Sequence, residues 1–287
     1  MALSLEQGAG WPAPGQPGLV WLGQAGFWIE TGAHRVLVDP YLSDSLARKY
    51  AGRRNDHRRM MAPPVMPGDL PEPDIVLVTH AHTDHMDSDT LAPLAQRFPH
   101  LPFVVPAARQ DVARERIGAS ANLILVDAGQ RIEPLRGLEV TVLPAAHETV
   151  EWDAEGRHLH LGYGIRSRGI CLYHSGDCIP FDGLGAALRD LAADIALLPV
   201  NGRDAARLDA GIPGNFTLAE AIALARAGEM PFLIPHHFGM FAFNTLDETE
   251  IDHAAARSAA PRIVKPVAGR VMWWRETDDG SGSAGSS

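Results

Sequence analysis

The chain has 287 residues, 46% of them hydrophobic, so it can bury a sizeable core in one large domain or two small ones. Its 25 lysines and arginines are outnumbered by 35 aspartates and glutamates, and the net charge of -10 argues against a general binder of nucleic acids or anionic membranes while leaving room for a local basic pocket. No apolar run has the length of a membrane-spanning helix, and the first residues lack the pattern of a signal peptide, so we expect a cytoplasmic protein.

The N-terminal part of the chain predicts β structure. Residues 18–40 contain three short apolar segments separated by glycines, and segments 27–30 and 35–38 have the form of a hairpin around a turn at 31–34. The last of these segments ends at Asp39, which is followed by a proline. We therefore expect neighbouring antiparallel strands here.

A helix and a long loop are expected next. Ser43 or Asp44 can cap a helix that runs towards Tyr50. Residues 51–74 are first basic and then rich in proline, so they predict a long loop within the domain and not a linker between domains.

The rest of the chain alternates strands and helices, with a stretch of strands alone in its middle. The predicted elements are, in order, a strand ending at Val78, a helix from Asp87 or Ser88 to about Arg97, strands at 103–105 and 123–125 on either side of a helix at 107–117, strands at 138–143, 159–165 and 170–174, and helices at 182–191, 217–227 and 247–258 separated by strands at 195–198 and 232–234. Thr217 and Glu220 have the spacing of a capping box. Two sheets with helices outside accommodate this order, so we predict an α/β (α+β) fold.

Four clusters of polar residues follow predicted strands, where α/β folds place their sites. They are THAHTDH (79–85), PAAHE (144–148), YHSGD (173–177) and IPHHFG (234–239). A single histidine after a strand is usually a hydrogen-bonded surface or core residue, but imidazole and carboxylate groups together suit zinc, manganese and iron. His80 and His82 lie two apart on one side of an extended segment, so Asp84 and His85 can face a second ion. The four clusters together predict a metal site.

Signatures of other catalytic machinery are missing from the sequence. We find no GxSxG elbow, no Walker loop and no dinucleotide fingerprint placed between a strand and a helix. Two divalent cations can share a water and generate hydroxide at neutral pH, so no protein nucleophile is required. The residues favour a hydrolase that uses a hydroxide held by a dinuclear metal site, and both Zn2+ and Mn2+ accept this ligand set.

The first cluster carries a family resemblance. THAHTDH matches the HxHxDH signature of metallo-β-lactamase-fold hydrolases, and the resemblance spans residues 18–275. The strings WLGQAGFWIE, VDPYLSDS, LYHSGD and IPHHFG are similar to the L-ascorbate-6-phosphate lactonase-like branch of that superfamily. The resemblance implies an αββα sandwich of two mixed sheets flanked by helices, formed by a single domain at 18–275 with an N-terminal extension at 1–17 and a flexible tail at 276–287.

The resemblance also implies roles for the polar residues. One metal would be held by His80, His82 and His147, the other by Asp84, His85 and His237, with Asp177 bridging the two. His236 competes with His237 for one position; counting from Pro235 selects His237 and leaves His236 as a support for the ligands, a substrate contact or a packing residue. Asp39 would hold the ligand loop by hydrogen bonds.

The lactonase-like resemblance implies that the reaction opens a lactone or a similar cyclic ester or amide. A phosphodiesterase or nuclease on the same fold is the first alternative, because a dinuclear site clamps phosphoryl oxygens equally well. A non-catalytic metal-binding protein is the second, although such a protein would be expected to lose ligands. The leaving group could receive its proton from metal-bound water, from Asp84 or from His236.

We expect a small anionic substrate, no nucleic-acid or membrane partner, and a possible homo-oligomer. Arg203 follows the strand at 195–198 and so opens on the same edge as the ligands. Its planar guanidinium group can hold a phosphate or carboxylate through two hydrogen bonds. Asn201 and Asn215 are the predicted amide partners of Arg203 in this anion site.

Two alternatives to this anion site stay open in the sequence. Arg203 could instead form an ion pair with Asp204 or Asp209, which are close to it in the chain. The basic run RRNDHRR at 53–59 either contributes to the anion site or is a solvated loop.

Overall fold

The structure of the protein is a computed structural model that describes residues 2–277. Within this range the chain forms fifteen strands and seven α-helices. The strands are β1 (Ala2–Gly8), β2 (Gly18–Gly23), β3 (Gly26–Glu30), β4 (Arg35–Val38), β5 (Ile75–Leu77), β6 (Pro102–Pro106), β7 (Asn122–Val126), β8 (Arg131–Leu135), β9 (Leu138–Pro144), β10 (Leu161–Ser167), β11 (Ile170–His174), β12 (Ile195–Pro199), β13 (Phe232–His236), β14 (Arg262–Ile263) and β15 (Val271–Thr277). The helices are α1 (Ser45–Lys49), α2 (Ser88–Arg97), α3 (Gln110–Arg116), α4 (Leu184–Leu191), α5 (Ala205–Asp209), α6 (Leu218–Ala227) and α7 (Glu248–Arg257).

The strands form two mixed sheets. The first has the order β1-β15-β2-β3-β4-β5-β6-β7 and is antiparallel up to β4 and parallel from β4 to β7. The second has the order β14-β13-β12-β11-β10-β9-β8 and is parallel from β14 to β11 and antiparallel from β11 to β8.

Alternation of side chains along the strands lets the two sheets pack face to face. On β2, Leu19 and Trp21 belong to the core between the sheets, where they join side chains of the second sheet such as Val140. Val20 and Leu22 point the other way, into a second cluster that also contains buried side chains of α2 and α3. Both faces of β2 are therefore buried, which explains why its sequence is a continuous apolar run.

Helices cover the outer face of the second sheet as well. The helix α6 packs on β12 and β13, and α4 packs on α6. The predicted capping box begins α6: the Thr217 hydroxyl accepts from the Glu220 N–H, and the Glu220 carboxylate accepts from the Thr217 N–H. The predicted αββα sandwich of two mixed sheets is confirmed.

The secondary structure at the two ends of the chain differs from what local sequence patterns predict. No strand is predicted in residues 1–17, but β1 pairs antiparallel with β15 and forms the edge of the first sheet. The strand β15 continues to Thr277, and residues 278–287 of the predicted tail lie outside the described residues. The domain boundaries themselves stay a prediction.

The fold brings the predicted polar clusters to one end of the sandwich. They follow β5 in the first sheet and β9, β11 and β13 in the second, and their side chains converge across the gap between the sheets. Among the helices of residues 2–277, none combines the length and the apolar character needed to cross a bilayer.

Candidate metal centre

The loop that follows β5 is fixed by buried hydrogen bonds. The Asp39 carboxylate accepts from the Thr79 N–H at 2.8 Å and from the Thr79 hydroxyl at 2.5 Å. Farther along, the His82 carbonyl accepts from the N–H groups of His85 and Met86, at 3.1 and 2.8 Å. The loop therefore closes into one turn that presents its polar side chains towards the second sheet.

Seven side chains of this region fall into two groups. The first ligand group contains His80, His82, His147 and Asp177, and the second ligand group contains Asp84, His85 and His237. Within each group, one potential ligand atom of every residue lies within 4.8 Å of those of the other residues. These are the residues and the division that the family resemblance implies.

Asp177 lies between the two groups. Its Oδ2 is 3.5 Å from Nε2 of His147 in the first ligand group and 3.3 Å from Nε2 of His237 in the second. Its Oδ1 is 3.3 Å from Nε2 of His85. The carboxylate can therefore contact ions in both groups, as expected of a bridging ligand.

Oxygen atoms outside the groups orient the histidine rings. His85 Nδ1 lies 2.7 Å from the Asp39 carboxylate, and His147 Nδ1 lies 3.0 Å from the carbonyl of Gly214. Donation of the Nδ1 proton to these acceptors leaves the lone pair on Nε2, on the side of the ligand groups. Asp39 therefore supports the ligand loop, as the resemblance implies.

Buried atoms without partners show that the residues fit metal ions. Among the described residues, His80 Nε2, His85 Nε2 and Asp177 Oδ1 are buried and have no hydrogen-bond partner. Each unpaired buried polar atom costs about 1–3 kcal/mol. Because all three face the ligand groups and present lone pairs when the histidine rings are neutral, divalent cations there would satisfy them together.

Protonation of the groups is set by burial and by charge. Burial, together with the neighbouring His85 and His82 rings, lowers the pKa of His80 well below its usual value. Burial also opposes ionisation of Asp177, but His237 and His85 outweigh it and hold the pKa of Asp177 well below its usual value. His80 is therefore neutral and Asp177 ionised at pH 7, which are the forms that bind metal.

The second ligand group carries a proton when no ion is bound. Burial lowers the pKa of His237, but the carboxylates of Asp177 and Asp84 outweigh it and raise the pKa to about 9. Metal binding at this group must displace that proton.

His236, at the end of β13, and His237, in the loop that follows, point in different directions. His237 has a left-handed φ of 61° and turns towards Asp84 and Asp177, whereas His236 is fully buried on the other side. The His236 ring stacks on His174, with ring centres 4.9 Å apart, and meets the edge of Phe27.

His236 does not reach the cavity above the ligand groups. Its place in the core corrects the prediction that it contacts substrate or protonates a leaving group, because proton transfer needs hydrogen-bond reach of the reacting atom. The end of β13 accounts for the difference: His236 is the last residue of the strand and faces the core, and the left-handed φ of His237 turns the next side chain towards the ligand groups.

Replacement of each histidine should give different metal contents. His237→Ala removes a ligand atom, so we expect a loss of at least 10-fold in metal affinity at the second ligand group. His236→Ala creates a comparable hole but removes no ligand, so bound metal should stay close to the wild-type amount. Elemental analysis of both variants after desalting measures this, and the reverse ranking would assign the ligand position to His236.

Arg203 does not line the cavity. Its two Nη atoms donate to the two carboxylate oxygens of Glu220, both at 2.6 Å, and Nη1 also donates to the Asn215 carbonyl at 3.1 Å. The guanidinium fork predicted to hold a substrate anion is therefore occupied by a side chain 17 residues later. Within residues 2–277, neither of the predicted alternative partners, Asp204 and Asp209, pairs with Arg203.

The two predicted amide partners lie behind the cavity wall. Asn215 Nδ2 donates to Asn201 Oδ1 at 3.0 Å, and Asn201 Nδ2 donates to Asn244 Oδ1 at 2.8 Å. Asn201 and Asn215 are both buried, and only Asn244 lines the cavity. Their short polar side chains bond to each other, which corrects their predicted placement at a substrate anion.

Arg203→Ala should lower stability and leave metal content unchanged. The Arg203–Glu220 pair is about one-third exposed, so we expect a cost of about 1 kcal/mol and a Tm decrease of roughly 2–4 °C. Arg58→Ala is the matched control, because the 83% exposed Arg58 side chain pairs only locally with Asp56. A thermal melt compares them; unchanged stability of Arg203→Ala with weakened substrate binding would restore the predicted substrate role.

Two residues at the centre were not found from the sequence. Gln24, in the turn between β2 and β3, donates from Nε2 to Asp84. His160 is buried beside the first ligand group, with its ring centre 5.0 Å from that of His80. Gln24 lies in WLGQAGFWIE, a string that indicated only the family resemblance and no role for the glutamine. His160 falls in the predicted strand 159–165 and has no feature that marks it as a site residue.

The ligand groups form the floor of a cavity of about 450 Å³. One part of its wall comes from α1 and the loop after it, which contribute the basic residues Lys49, Arg53 and Arg54. Arg116, from the end of α3, lines it as well. Aromatic and apolar side chains complete the wall: Tyr50, His57, Ile212, Pro213, Phe241 and Phe243.

Comparison with known families and sequences places the chain among hydrolases. A model of the family described as "Beta-lactamase superfamily domain" matches residues 34–238. A UPF0173 metal-dependent hydrolase of Methanosphaerula palustris is 28% identical over 251 residues, which cover 85% of this chain and 91% of that protein. The UPF0173 metal-dependent hydrolase Ta0764 of Thermoplasma acidophilum is 28% identical over 254 residues, which cover 87% of this chain and 97% of that protein.

Solved structures share the fold. An isothiocyanate hydrolase from Delia radicum gut bacteria superposes with a TM-score of 0.70 at 17% identity, covering 89% of this chain and 98% of that one. The metallo hydrolase Igni18 from Ignicoccus hospitalis superposes with a TM-score of 0.65 at 18% identity, covering 91% and 99%. At these identities the likeness shows a common architecture and leaves the substrate open.

Proposed function

Because the chain belongs to the beta-lactamase superfamily and is a metal-dependent hydrolase, we propose that it opens a lactone or a related cyclic ester or amide in a small anionic compound. The observation that carries the proposal is a cavity whose floor holds the two ligand groups and whose wall is basic. The lactone is supported by the strings that resemble the lactonase-like branch, and the negative charge by the cavity wall.

The charged residues of the cavity divide by sign. The acidic residues that line it, Asp84 and Asp177, belong to the ligand groups, and its lysine and arginines lie on the wall. This basic wall occurs in a chain with a net charge of -10, so it is a local feature and not the average of the surface. A cleft lined by one sign of charge attracts ligands of the opposite sign.

Three of the wall cations are available to a ligand. Within the described residues, Lys49, Arg53 and Arg54 are exposed and make no ion pair with a carboxylate. Lys49 and Arg53 lie over the Tyr50 ring, with their charged groups 5.4 and 5.3 Å from its centre. The ring therefore holds two positive charges at the cavity edge without neutralising them.

Arg116 supplies a fourth positive charge close to the ligand loop. Its Nη1 donates to the carbonyl of Ala81 at 2.6 Å and to that of Met86 at 3.3 Å. Carbonyl oxygens orient the guanidinium group but leave its charge uncompensated, so Arg116 can also attract an anion.

The ligand groups and the wall divide the chemistry between them. Divalent ions held by the two groups would supply Lewis acidity, polarising a substrate oxygen and lowering the pKa of a water molecule. The wall cations orient the anionic part of the substrate, and Ile212, Pro213 and Phe241 exclude bulk water from the cavity. Of the two side chains predicted to transfer a proton, Asp84 and His236, Asp84 lines the cavity, and its side chain is 16% exposed.

A pair of lactones that differ only in the presence of a charged group tests the proposal. We expect the metal-loaded enzyme to hydrolyse a lactone bearing a carboxylate or phosphate at least 10 times more efficiently than the same lactone without it. Equal kcat/KM for the pair would remove the basis for the anionic substrate. Faster hydrolysis of bis-(p-nitrophenyl) phosphate than of any lactone would assign a phosphodiesterase instead.

Removal of two wall cations should act on the charged substrate alone. For the double variant Arg53→Ala and Arg54→Ala, we expect kcat/KM for the anionic lactone to fall by roughly 10–100-fold, which is the effect of losing one charge-assisted hydrogen bond of about 1.5–3 kcal/mol. Turnover of the uncharged lactone and bound metal should not change. Arg58→Ala, in the same loop but outside the cavity lining, is the matched control; an equal loss in this control would point to a general charge effect.

A further inference from the structure

Gln24 is held directly beside the second ligand group. It follows Gly23 in the turn between β2 and β3 and has a left-handed φ of 50°. Its backbone carbonyl accepts from the N–H of His237 at 2.9 Å and from the Trp21 indole at 2.9 Å. The turn therefore locks the Gln24 backbone onto a residue that carries a ligand atom.

The side-chain amide of Gln24 contacts two members of that group. Its Nε2 lies 2.7 Å from Asp84 Oδ2 and 3.0 Å from His237 Nε2. Two ligand atoms bound to one ion at about 2.0–2.2 Å lie roughly 2.8–3.6 Å apart for tetrahedral to octahedral angles. The end of the Gln24 side chain thus has the spacing of another atom in the same coordination shell.

The other end of the amide is unsatisfied. Gln24 Oε1 is buried and has no hydrogen-bond partner among the described residues. The two ends of an amide have nearly the same shape, so a half-turn of the group exchanges Nε2 and Oε1. The oxygen would then face Asp84 Oδ2, and two oxygens at that distance repel each other unless a cation lies between them.

We propose that Gln24 Oε1 is a ligand of a divalent ion in the second ligand group. Without an ion the amide presents its N–H to Asp84, as the structure shows, and with an ion it presents its carbonyl oxygen. The inference rests on the metal centre and not on the identity of the substrate, so failure of the lactone assignment leaves it intact.

The additional oxygen makes the two groups chemically unequal. The first ligand group offers three imidazoles and a carboxylate, and the second gains an amide oxygen beside its carboxylate and two imidazoles. Carboxylate and carbonyl oxygens suit harder ions such as Mn2+. Loss of Gln24 should therefore affect one ion and spare the other.

Metal content of two variants tests this assignment. Wild-type protein is stripped with a chelator, reloaded with Mn2+, desalted and analysed for bound metal. Gln24→Met keeps the size of the side chain but has no ligand oxygen, so bound Mn2+ should fall by about one ion per chain, with an affinity loss of roughly 10–100-fold at the second ligand group. Gln24→Glu keeps a ligand oxygen and adds negative charge, so it should bind as many ions as the wild type and release them more slowly.

The Glu variant separates ligation from hydrogen bonding. If Gln24 acts only as a donor to Asp84, Gln24→Glu loses the donor, adds repulsion and should lose more metal than Gln24→Met; this ranking would overturn the proposal. Tighter Mn2+ binding by Gln24→Met would also overturn it, because the amide would then be a competitor of the ion. Gln130→Met makes the same change at an exposed glutamine outside the centre and should leave metal content unchanged.

Discussion

Bound metal and hydrolytic activity are expected to fall together when Asp177 is replaced by alanine. The Asp177 carboxylate approaches ligand atoms of both groups, within 3.3 Å of His85 and His237 and 3.5 Å of His147. Its removal weakens both metal positions at once, whereas loss of any one histidine weakens a single position. We expect activity to decrease on the order of 1,000-fold or more, because residues of a catalytic centre act as a unit.

Elemental analysis and steady-state kinetics on the same preparations check this expectation. Asp190→Ala, an exposed aspartate on α4, is the matched control and should retain metal and turnover. The thermal melt of Asp177→Ala in chelator should still show a folded protein, because His85 and His237 can release their protons once the carboxylate is gone and so leave no uncompensated buried charge. Wild-type metal content and turnover in Asp177→Ala would contradict the assignment of this residue as the bridge between the two groups.

Gly176→Ala is expected to cause a large loss of stability. Gly176 has φ of 62°, and a Cβ added there would lie 2.8 Å from the Leu161 carbonyl oxygen and 2.9 Å from Thr79 Cβ. The left-handed conformation costs an alanine about 1–2 kcal/mol, and the clash adds a further cost because backbone cannot give way easily. We expect a total of roughly 3–5 kcal/mol and a Tm decrease of about 10 °C.

The turn between β10 and β11 provides a control for the conformational part of that cost. Gly169 has φ of 81°, and no atom lies within 4 Å of its added Cβ. Gly169→Ala should therefore lose only about 1–2 kcal/mol. Equal destabilisation of the two variants in urea or thermal unfolding would mean that the steric clash at Gly176 adds nothing to the loss of unfolding free energy. Because Gly176 precedes Asp177, only its variant should also bind less metal.

The sequence predicted the architecture and the seven residues that the structure brings together in the two ligand groups. The spacing of apolar residues reflects which side chains must be buried, and this spacing is a local property of the sequence. Each apolar segment therefore predicts its own strand or helix. The polar clusters follow those segments because parallel strands of such sheets end at a common edge. The family resemblance then divided the clusters into the two groups that the structure brings together.

Tertiary structure decided the features that depend on partners distant in the chain. The strand β1 finds its partner β15 at the opposite end of the sequence, and a short segment without that partner has little signal of its own. Arg203 had acidic neighbours in the sequence, yet helix α6 presents Glu220 to it in a two-bond pair.

The same reason explains what was missed at the centre. His236 and His237 are adjacent and chemically identical, and only the end of β13 and the turn after it decide which ring faces the ligand groups. Gln24 reaches Asp84 across 60 residues at the edge of the same sheet, and it reaches His237 across 213 residues through the packing of one sheet against the other. Periodicity determines which side of an element a residue occupies, whereas its contact with a particular distant atom is set only when the sheets pack together.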